Sequence, residues 1–222
     1  AFAERAVSEK VADGVWFIGG GSHNSVAIEM ADHIILVESP LYDGRANVVL
    51  AEVQKLSPKP VRYAINSHHH FDHAGGLRTA AAAGAEIVGS AMAKPYFERI
   101  MANANMVAPD ALAKSGKRAT VSGIDGKREF TDGKRTVVAY AIEGTVHANG
   151  FNMVHLPAEK LLIEADAYTP GPPNTPTPAR LNDNTVKLVE NLDRLKLVVD
   201  RILPLHGRVV PVSELYTAVG RK

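Results

Sequence analysis

The sequence contains no cysteine. Disulfide bonds, thiolate catalysis and cysteine metal ligands are therefore excluded, so a metal site would have to use nitrogen and oxygen donors. A chain without cysteine is compatible with the cytoplasm and with the periplasm, and the compartment stays open. The sequence also has no apolar run approaching the ~18 residues that span a bilayer, so we expect a soluble protein without a membrane segment.

An excess of charge of one sign is also missing, since the formal net charge is +1. A nearly neutral chain has no electrostatic footprint for nucleic acid or a membrane surface, so neither is an expected partner. The expected partner is a small-molecule substrate. The composition is that of an ordinary globular protein, and the length predicts one domain over residues 1–222. The chain begins at Ala1, which is compatible with removal of an initiator, a signal peptide or a longer N-terminal segment. The oligomeric state stays open.

Predicted strands and helices alternate along the chain, which favours an α/β fold. Apolar alternation predicts strands over residues 11–18, 25–30, 33–38, 61–65, 86–89, 128–131, 135–142, 151–156, 160–164 and 201–203. Helical spacing predicts helices over 43–56, from 73 to about 84, over 90–102, from 182 to 198, and at the end of the chain. The pattern is weak over 103–126, which we expect to be irregular, and the prolines of 169–179 exclude a helix or a central strand.

Four histidines and one aspartate cluster in residues 68–73, directly after the predicted strand 61–65. Such a cluster is unsuited to packing, because buried imidazole and carboxylate groups need polar partners. On a strand-to-helix turn, His68 and His70 can face the same way, and Asp72 and His73 follow on the turn itself. These side chains suit zinc, iron or manganese. The cluster predicts a metal site, and the competing interpretation is a solvated histidine-rich loop.

The pattern His68-x-His70-x-Asp72-His73 resembles the signature of the metallo-β-lactamase fold superfamily of hydrolases. The resemblance implies a four-layer αβ/βα sandwich and covers almost the whole chain. The residues that match the family's later metal motifs are His147, Asp166 and His206. Each follows a predicted strand, where ligands from separate elements could converge. The neighbours that depart from the family pattern are Ala148, Ala165 and Leu205.

The resemblance implies two metal ions, either zinc or, alternatively, iron or manganese. The implied ligands of the first ion are His68, His70 and His147. Those of the second are Asp72, His73 and His206, with Asp166 as the bridge. A water between two such ions has its pKa lowered from 15.7 to near ~7, and the hydroxide could attack an ester, lactone, thioester, amide or phosphoester. Asp72 is also expected to orient this nucleophile, which makes it the predicted catalytic residue.

Two loops are predicted to form walls of the substrate pocket. The glycine-rich loop over residues 19–24 is expected to be mobile and to put His23 and Asn24 on one wall. The proline-rich loop is expected to be stiff and to put Tyr168 and Asn174 on another. For each loop, the alternative is a plain connection that makes no contact with the substrate.

The predicted activity is dinuclear metal-dependent hydrolysis. Within the resemblance, an acid at the position of Asp166 is typical of thioesterases, lactonases and phosphodiesterases, so β-lactam hydrolysis is expected only as weak side activity. Two alternatives of other classes stay open: an iron-dependent oxidoreductase similar to sulfur dioxygenases, and a non-catalytic metal-binding module. The substrate itself does not follow from the fold.

Overall fold

The computed structural model describes residues 4–221, which form two β-sheets that pack face to face. Within that range, the first sheet has seven strands in chain order. They are β1 Val7–Ala12, β2 Val15–Gly19, β3 Ser25–Glu29, β4 Ile34–Val37, β5 Val61–Ile65, β6 Glu86–Ser90 and β7 Val121–Ile124. Strands β1 to β4 pair antiparallel, whereas β4 to β7 pair parallel.

The second sheet contains, over the same described residues, six strands in the spatial order β13-β12-β11-β10-β9-β8. They are β8 Lys127–Thr131, β9 Thr136–Ala141, β10 Asn152–Leu156, β11 Leu161–Glu164, β12 Arg201–Pro204 and β13 Val210–Pro211. Only β11 and β12 pair parallel within this sheet, as far as residues 4–221 show.

Helices connect the strands. They are α1 Asp43–Leu56, α2 Phe71–Ala74, α3 Leu77–Ala82, α4 Lys94–Ala102, α5 Ala111–Ser115, α6 Asp183–Arg194 and α7 Val212–Ala218. Among the helices of the described chain, none combines the length and the apolar composition that crossing a membrane requires.

Side chains that alternate along the strands fill the space between the sheets. On the first sheet, Val26, Ile28 and Ile35 belong to the largest apolar cluster, which also contains Met153 and Ile163 of the second sheet. Successive strand residues point to opposite faces, so the residues between these inner ones point outward. Each fully buried aliphatic side chain contributes about 1.5–3 kcal/mol, which makes this interlayer cluster the main source of stability.

The outer faces of both sheets are covered by helices. Ala27 and Leu36 form a separate cluster with Val49 of α1, and α3 to α5 pack in another cluster with Ile87 of β6. On the other side, α6 joins the apolar cluster of the second sheet through residues such as Leu188. The layers therefore run helix, sheet, sheet, helix, which confirms the predicted four-layer αβ/βα sandwich.

Several predicted elements differ from the structure, including the predicted helix from 73 to about 84, which is divided into α2 and α3. The predicted strand 11–18 is split into β1 and β2, because Gly14 turns the chain with a φ of +65°. The segment predicted to be irregular contains α5 and β7, and β7 is fixed by parallel pairing with β6. The predicted helix 182–198 ends at Arg194, and Lys196 just beyond it has a φ of +53°, which a helix cannot accommodate.

Strand pairing aligns the ends from which the site is built. In the parallel pair β11–β12, Glu164 lies opposite Pro204, so Asp166 and His206 each follow two residues beyond the paired ends. In the parallel pair β4–β5, the Glu38 backbone N–H donates to the Ile65 carbonyl at 2.9 Å. Polar residues after these strands therefore emerge at one edge of the sandwich.

Candidate metal centre

The residues predicted as metal ligands lie together in two neighbouring groups. Within each group, the possible ligand atoms all lie within 4.8 Å of one another. The first group contains His68, His70, His147 and Asp166, and the second contains His23, Asp72, His73 and His206. The structure thus brings together all seven predicted ligands and adds His23.

His68 lies at the centre of the first group. Its Nε2 atom is 3.0 Å from His70 Nδ1 and 3.1 Å from His147 Nε2. Asp166 Oδ2 lies 3.3 Å from His68 Nε2 and 2.7 Å from His147 Nε2. Zinc–nitrogen bonds of ~2.0–2.1 Å in a tetrahedral site separate the ligand atoms by roughly 3.3 Å. The spacing of this group therefore fits one small cation.

The second group is more widely spaced. His73 Nε2 and His206 Nε2 are 3.1 Å apart, and Asp72 Oδ2 lies 3.5 Å from the first and 4.0 Å from the second. Opposite ligands of an octahedral site with bonds of ~2.1 Å are roughly 4.2 Å apart. Separations of 3.1–4.0 Å therefore also allow these atoms to share one cation.

The Asp166 carboxylate contacts both groups. In addition to its contacts in the first group, its Oδ1 lies 2.9 Å from His206 Nε2 and its Oδ2 lies 3.2 Å from His73 Nε2. Burial acts to raise the pKa of Asp166, but hydrogen bonds with His206 and His68 outweigh it and hold the pKa far below its usual range. The carboxylate is therefore ionised at any ordinary pH and lies in contact with histidines of both groups.

The imidazole and carboxylate side chains of the two groups are suited to binding cations. Burial acts to lower the pKa of His73, but the carboxylates of Asp166 and Glu38 raise it to about 10. Histidine ligands bind in their neutral form, so binding of a metal ion at His73 would release a proton. Imidazole and carboxylate donors without sulfur suit zinc, iron or manganese.

Glu38 orients one histidine of each group, His73 by a direct hydrogen bond and His68 through Ser67. Its Oε2 accepts from the His73 Nδ1–H at 3.0 Å and from the Ser67 hydroxyl at 2.5 Å. The Ser67 oxygen in turn lies 3.0 Å from His68 Nδ1, so that N–H can donate to it. Asn66 donates to the other carboxylate oxygen at 2.6 Å. These contacts orient both rings so that Nε2, the atom that each would offer to an ion, faces the site.

The glycine-rich loop over residues 19–24 is hydrogen-bonded to the body of the protein at both of its ends, and its expected mobility stays a prediction. The buried Arg45 guanidinium donates to the Gly19 carbonyl at 3.1 Å and to the His23 carbonyl at 3.0 Å. The Asn24 amide donates to the Pro204 carbonyl at 3.0 Å and to the carbonyl of residue 207 at 2.9 Å. These bonds give Asn24 the role of fastening the loop, and its predicted contact with a substrate stays a prediction.

His23 lies among the ligands. Its Nε2 is 3.1 Å from Asp72 Oδ2, and its side chain is only 11% exposed, compared with 43% for Asp72. Burial lowers the pKa of the His23 imidazole, so the ring is neutral at physiological pH. Burial acts to raise the pKa of Asp72, but the hydrogen bond with His23 keeps it below its usual range. His23 therefore belongs to the centre more closely than its predicted place on a pocket wall implied.

A groove of about 690 Å³ opens beside the centre and is lined in part by Asp166, Tyr168 and Asn174. Tyr168 is nearly buried, and burial raises the pKa of its hydroxyl. Asn174 is exposed and has a φ of +65° on the proline-rich loop. A volume of this size is typical of small-molecule sites. The contact of Tyr168 and Asn174 with a substrate stays a prediction.

The other histidines lie outside both groups. His33 is buried with its Nδ1 2.6 Å from Asp32, and His155 is buried with its Nε2 3.0 Å from the Val198 carbonyl. Both have the structural roles expected from their strand patterns. His69 is partly buried, and its ring packs edge-on against Tyr96 with the ring centroids 5.8 Å apart.

Glu38 and Arg45 were not predicted to act at the site. Glu38 carried the same signal as Asp166, because it is an acid directly after an apolar strand, where burial is costly without a partner. Arg45 gave no signal, since an arginine in the first turn of a helix is usually solvated. Its full burial depends on carbonyl groups that only the folded chain brings to it.

Sequence comparison gives relatives for this chain. A sequence model described as the Metallo-beta-lactamase superfamily matches residues 18–206. A linear primary-alkylsulfatase from a Pseudomonas strain is 27% identical over 84% of this chain and 41% of its own length. The alpha subunit of a 2,4-dinitroanisole O-demethylase from a Nocardioides strain is 28% identical over 74% of this chain and 47% of its own length. The chain thus spans less than half the length of these two curated relatives.

Solved structures share the fold. A metallo-beta-lactamase from Pontibacter korlensis superposes with a TM-score of 0.71 over 97% of this chain and 98% of its own, at 16% identity. The metallo-beta-lactamase FIM-1 from Pseudomonas aeruginosa, in its mono-zinc form, gives a TM-score of 0.70 over 98% and 95%, at 17% identity. Identities this low show a common fold and no more.

Proposed function

The chain belongs to the metallo-beta-lactamase superfamily, and from this membership we propose that it is a dinuclear metal-dependent hydrolase. The observation that carries the proposal is the position of Asp166, whose carboxylate lies within 3.3 Å of histidine nitrogens in both groups. A carboxylate between two groups of imidazoles would offset the charge of a cation pair. When bound, such a pair supplies Lewis acidity and lowers the pKa of a water from 15.7 to about 7.

The protein's own residues have distinct parts in this reaction. His68, His70 and His147 would hold one ion, with Asp166 as the bridge to the other. Asp72 is the proposed catalytic residue, because its side chain is 43% exposed, compared with 18% for Asp166, and its carboxylate could accept a hydrogen bond from a water molecule. Glu38 fixes the orientation of the imidazoles behind the reacting centre.

The proposed ions are two zinc ions, because the site offers only nitrogen and oxygen donors at the spacing of a small cation. The same donors also fit iron, so an iron-dependent oxidoreductase is the alternative on the same residues. Weak β-lactam turnover is the second alternative, and it rests on the shared fold alone.

The surroundings of the site favour a substrate with an apolar part. Phe71, between His70 and Asp72, is 68% exposed, and Val146, directly before His147, is 77% exposed. Apolar side chains exposed beside a site are available to cover an apolar group of a ligand. The names of the two curated relatives describe enzymes that act on an alkyl sulfate and on an O-methyl group of 2,4-dinitroanisole. We therefore add alkyl sulfates and aryl methyl ethers to the predicted esters, lactones, thioesters, amides and phosphoesters.

A substrate panel tests the proposal. The zinc-loaded protein is assayed on one chromogenic member of each class, with Asp166→Asn as the test variant and Asp200→Asn, an exposed carboxylate outside the site, as the matched control. We expect turnover of at least one class that is lost with chelator and with Asp166→Asn but is retained in the control. Full metal loading without turnover of any class would favour a non-catalytic metal-binding module. Oxygen consumption by an iron-loaded protein would favour the oxidoreductase.

A further inference from the structure

His23 occupies a position that the seven predicted ligands leave unexplained. The Nε2 atom of His23 belongs to the same tight group as the ligand atoms of Asp72, His73 and His206. Its ring centroid lies 4.1 Å from that of His206 and 5.3 Å from that of His73, in edge-on arrangements. A buried imidazole packed among other imidazoles needs polar partners, and the direction in which its nitrogens point shows which partners are available.

Ser22 orients the imidazoles of His23 and His206 within the second group. Its hydroxyl oxygen lies 2.8 Å from His23 Nδ1, and its carbonyl oxygen lies 3.3 Å from His206 Nδ1. The carbonyl can only accept, so the Nδ1–H of His206 donates to it and Nε2 is the atom that faces the group. In the tautomer with its proton on Nδ1, His23 would donate to the Ser22 hydroxyl and would keep the Nε2 lone pair for an ion. Metal-binding histidines are usually oriented in this way, by a hydrogen bond from the ring nitrogen that does not bind the ion.

The loop that carries His23 is fixed from both sides. Arg45 binds the His23 carbonyl at 3.0 Å, and the Asn24 backbone N–H donates to the Leu205 carbonyl at 2.8 Å, one residue before His206. His23 and His206 therefore belong to one rigid unit. A side chain held in this way keeps its geometry before a ligand binds, which is what a metal site needs.

We propose that His23 is a ligand of the second metal ion, together with His73, His206 and Asp72. The proposal rests on the proposed function, since it assumes that metal ions bind at the two groups. Each ion would then have three imidazoles, and Asp166 would lie between two nitrogen-rich sites. Imidazole donors favour zinc and iron over magnesium and calcium, so His23 would raise the selectivity of the second site for the former.

The alternative role of His23 is positioning. In the other tautomer, its Nε2–H would donate to Asp72 Oδ2, 3.1 Å away, and orient that carboxylate without touching the ion. The two roles differ in one measurable property. Only a ligand is joined to the ion by a bond, and only a bond transmits scalar coupling between the metal nucleus and the protons of the ring.

The decisive experiment is NMR spectroscopy of the full chain loaded with an NMR-active cadmium isotope. We expect two cadmium resonances, one of which correlates through scalar coupling with ring protons of His23, His73 and His206. In His23→Ala, the same resonance should shift and correlate only with His73 and His206. In the control His69→Ala, whose ring belongs to neither group, it should still correlate with all three. Correlation with His73 and His206 alone in the unaltered protein would overturn the proposal.

Zinc affinity gives the second readout. Competition with a chromophoric chelator should show the weaker zinc site loosened at least about tenfold in His23→Ala and in His23→Gln, and unchanged in His69→Ala. Affinities unchanged in both His23 variants would overturn the proposal. If neither cadmium nor zinc binds the unaltered protein, the proposed function fails together with the inference. If both metals bind but His23 shows no coupling, only the inference fails.

Discussion

The substitution Glu38→Gln should weaken metal binding at both sites, although Glu38 contacts neither ion. The fully buried carboxylate accepts from the Asn66 amide and the Ser67 N–H on one oxygen, and from the Ser67 hydroxyl and His73 on the other. Glutamine has nearly the same volume but offers an NH₂ group in place of one oxygen. In either orientation of the amide, the NH₂ group of the variant faces groups that also donate, so the hydrogen bonds on that side are lost.

The size of the effect follows from the groups that lose their partner. If the NH₂ group faces His73, the imidazole can no longer donate Nδ1–H, and it is free to change its tautomer or turn. Loss of such a support typically lowers metal affinity 10–100-fold, or about 1.4–2.8 kcal/mol. If it faces Asn66 instead, the buried donors of Asn66 and Ser67 are left unsatisfied, at about 1–3 kcal/mol of folding stability each. Both outcomes are measurable, and the first affects His68 too, through Ser67.

The assay is a zinc competition titration with a chromophoric chelator, accompanied by denaturant unfolding of the metal-free protein. The matched control is Glu29→Gln, because Glu29 also accepts hydrogen bonds, from Ser57 and Lys59. Glu29 lies at the end of β3 that points away from the site. We expect weaker binding in Glu38→Gln and unchanged binding in the control. Zinc affinities within twofold of the unaltered protein at both sites, together with unchanged stability, would refute the support that we assign to Glu38.

Three further predictions concern other parts of the chain. Arg78 lowers the pKa of the Asp110 carboxyl to about 2, so this pair stabilises the fold above pH ~4 and loses its contribution as the pH falls through 2. Asp110→Asn should therefore lower the unfolding free energy at pH 7 by about 2 kcal/mol and by less at pH 3, which denaturant titrations at both values would check. Gly75→Ala should cost about 3 kcal/mol or more, because an added Cβ would lie 1.8 Å from the Leu41 carbonyl oxygen; a thermal midpoint close to that of the unaltered protein would contradict this. Tyr168→Phe should change kcat or KM with unchanged metal content, and unaltered kinetics would exclude the groove from the substrate site.

Local signals predicted much of the fold because they agree with the tertiary structure. The helix Asp43–Leu56 has the predicted bounds, since Pro58 and Pro60 stop it whatever the surroundings. The strand β7 was missed because its short apolar pattern is weak, and its pairing with β6 depends on residues distant in the chain. The helix α6 was predicted to run too far, since the turn at Lys196 has no glycine or proline to announce it.

At the site, the predicted ligands were those whose chemistry is visible in the sequence. The cluster in residues 68–73 pointed to a metal site by its chemistry, and the resemblance to the superfamily's motifs added His147, Asp166 and His206. The supporting network was less visible, because Glu38 and Arg45 are ordinary residues of a strand end and a helix until folding buries them. The loop over residues 19–24 shows the same limit. Its glycines indicate freedom, but hydrogen bonds from Arg45 and Asn24 hold it against the ligands.

The central claim is that the chain binds two metal ions bridged by Asp166, and elemental analysis by plasma mass spectrometry tests it most directly. The protein should be purified without chelator, with Asp166→Ala alongside. We predict about two zinc ions per chain, and a variant that retains roughly one ion or holds both weakly. Two iron ions per chain would favour the oxidoreductase on the same residues. No bound metal in the unaltered protein would contradict the account.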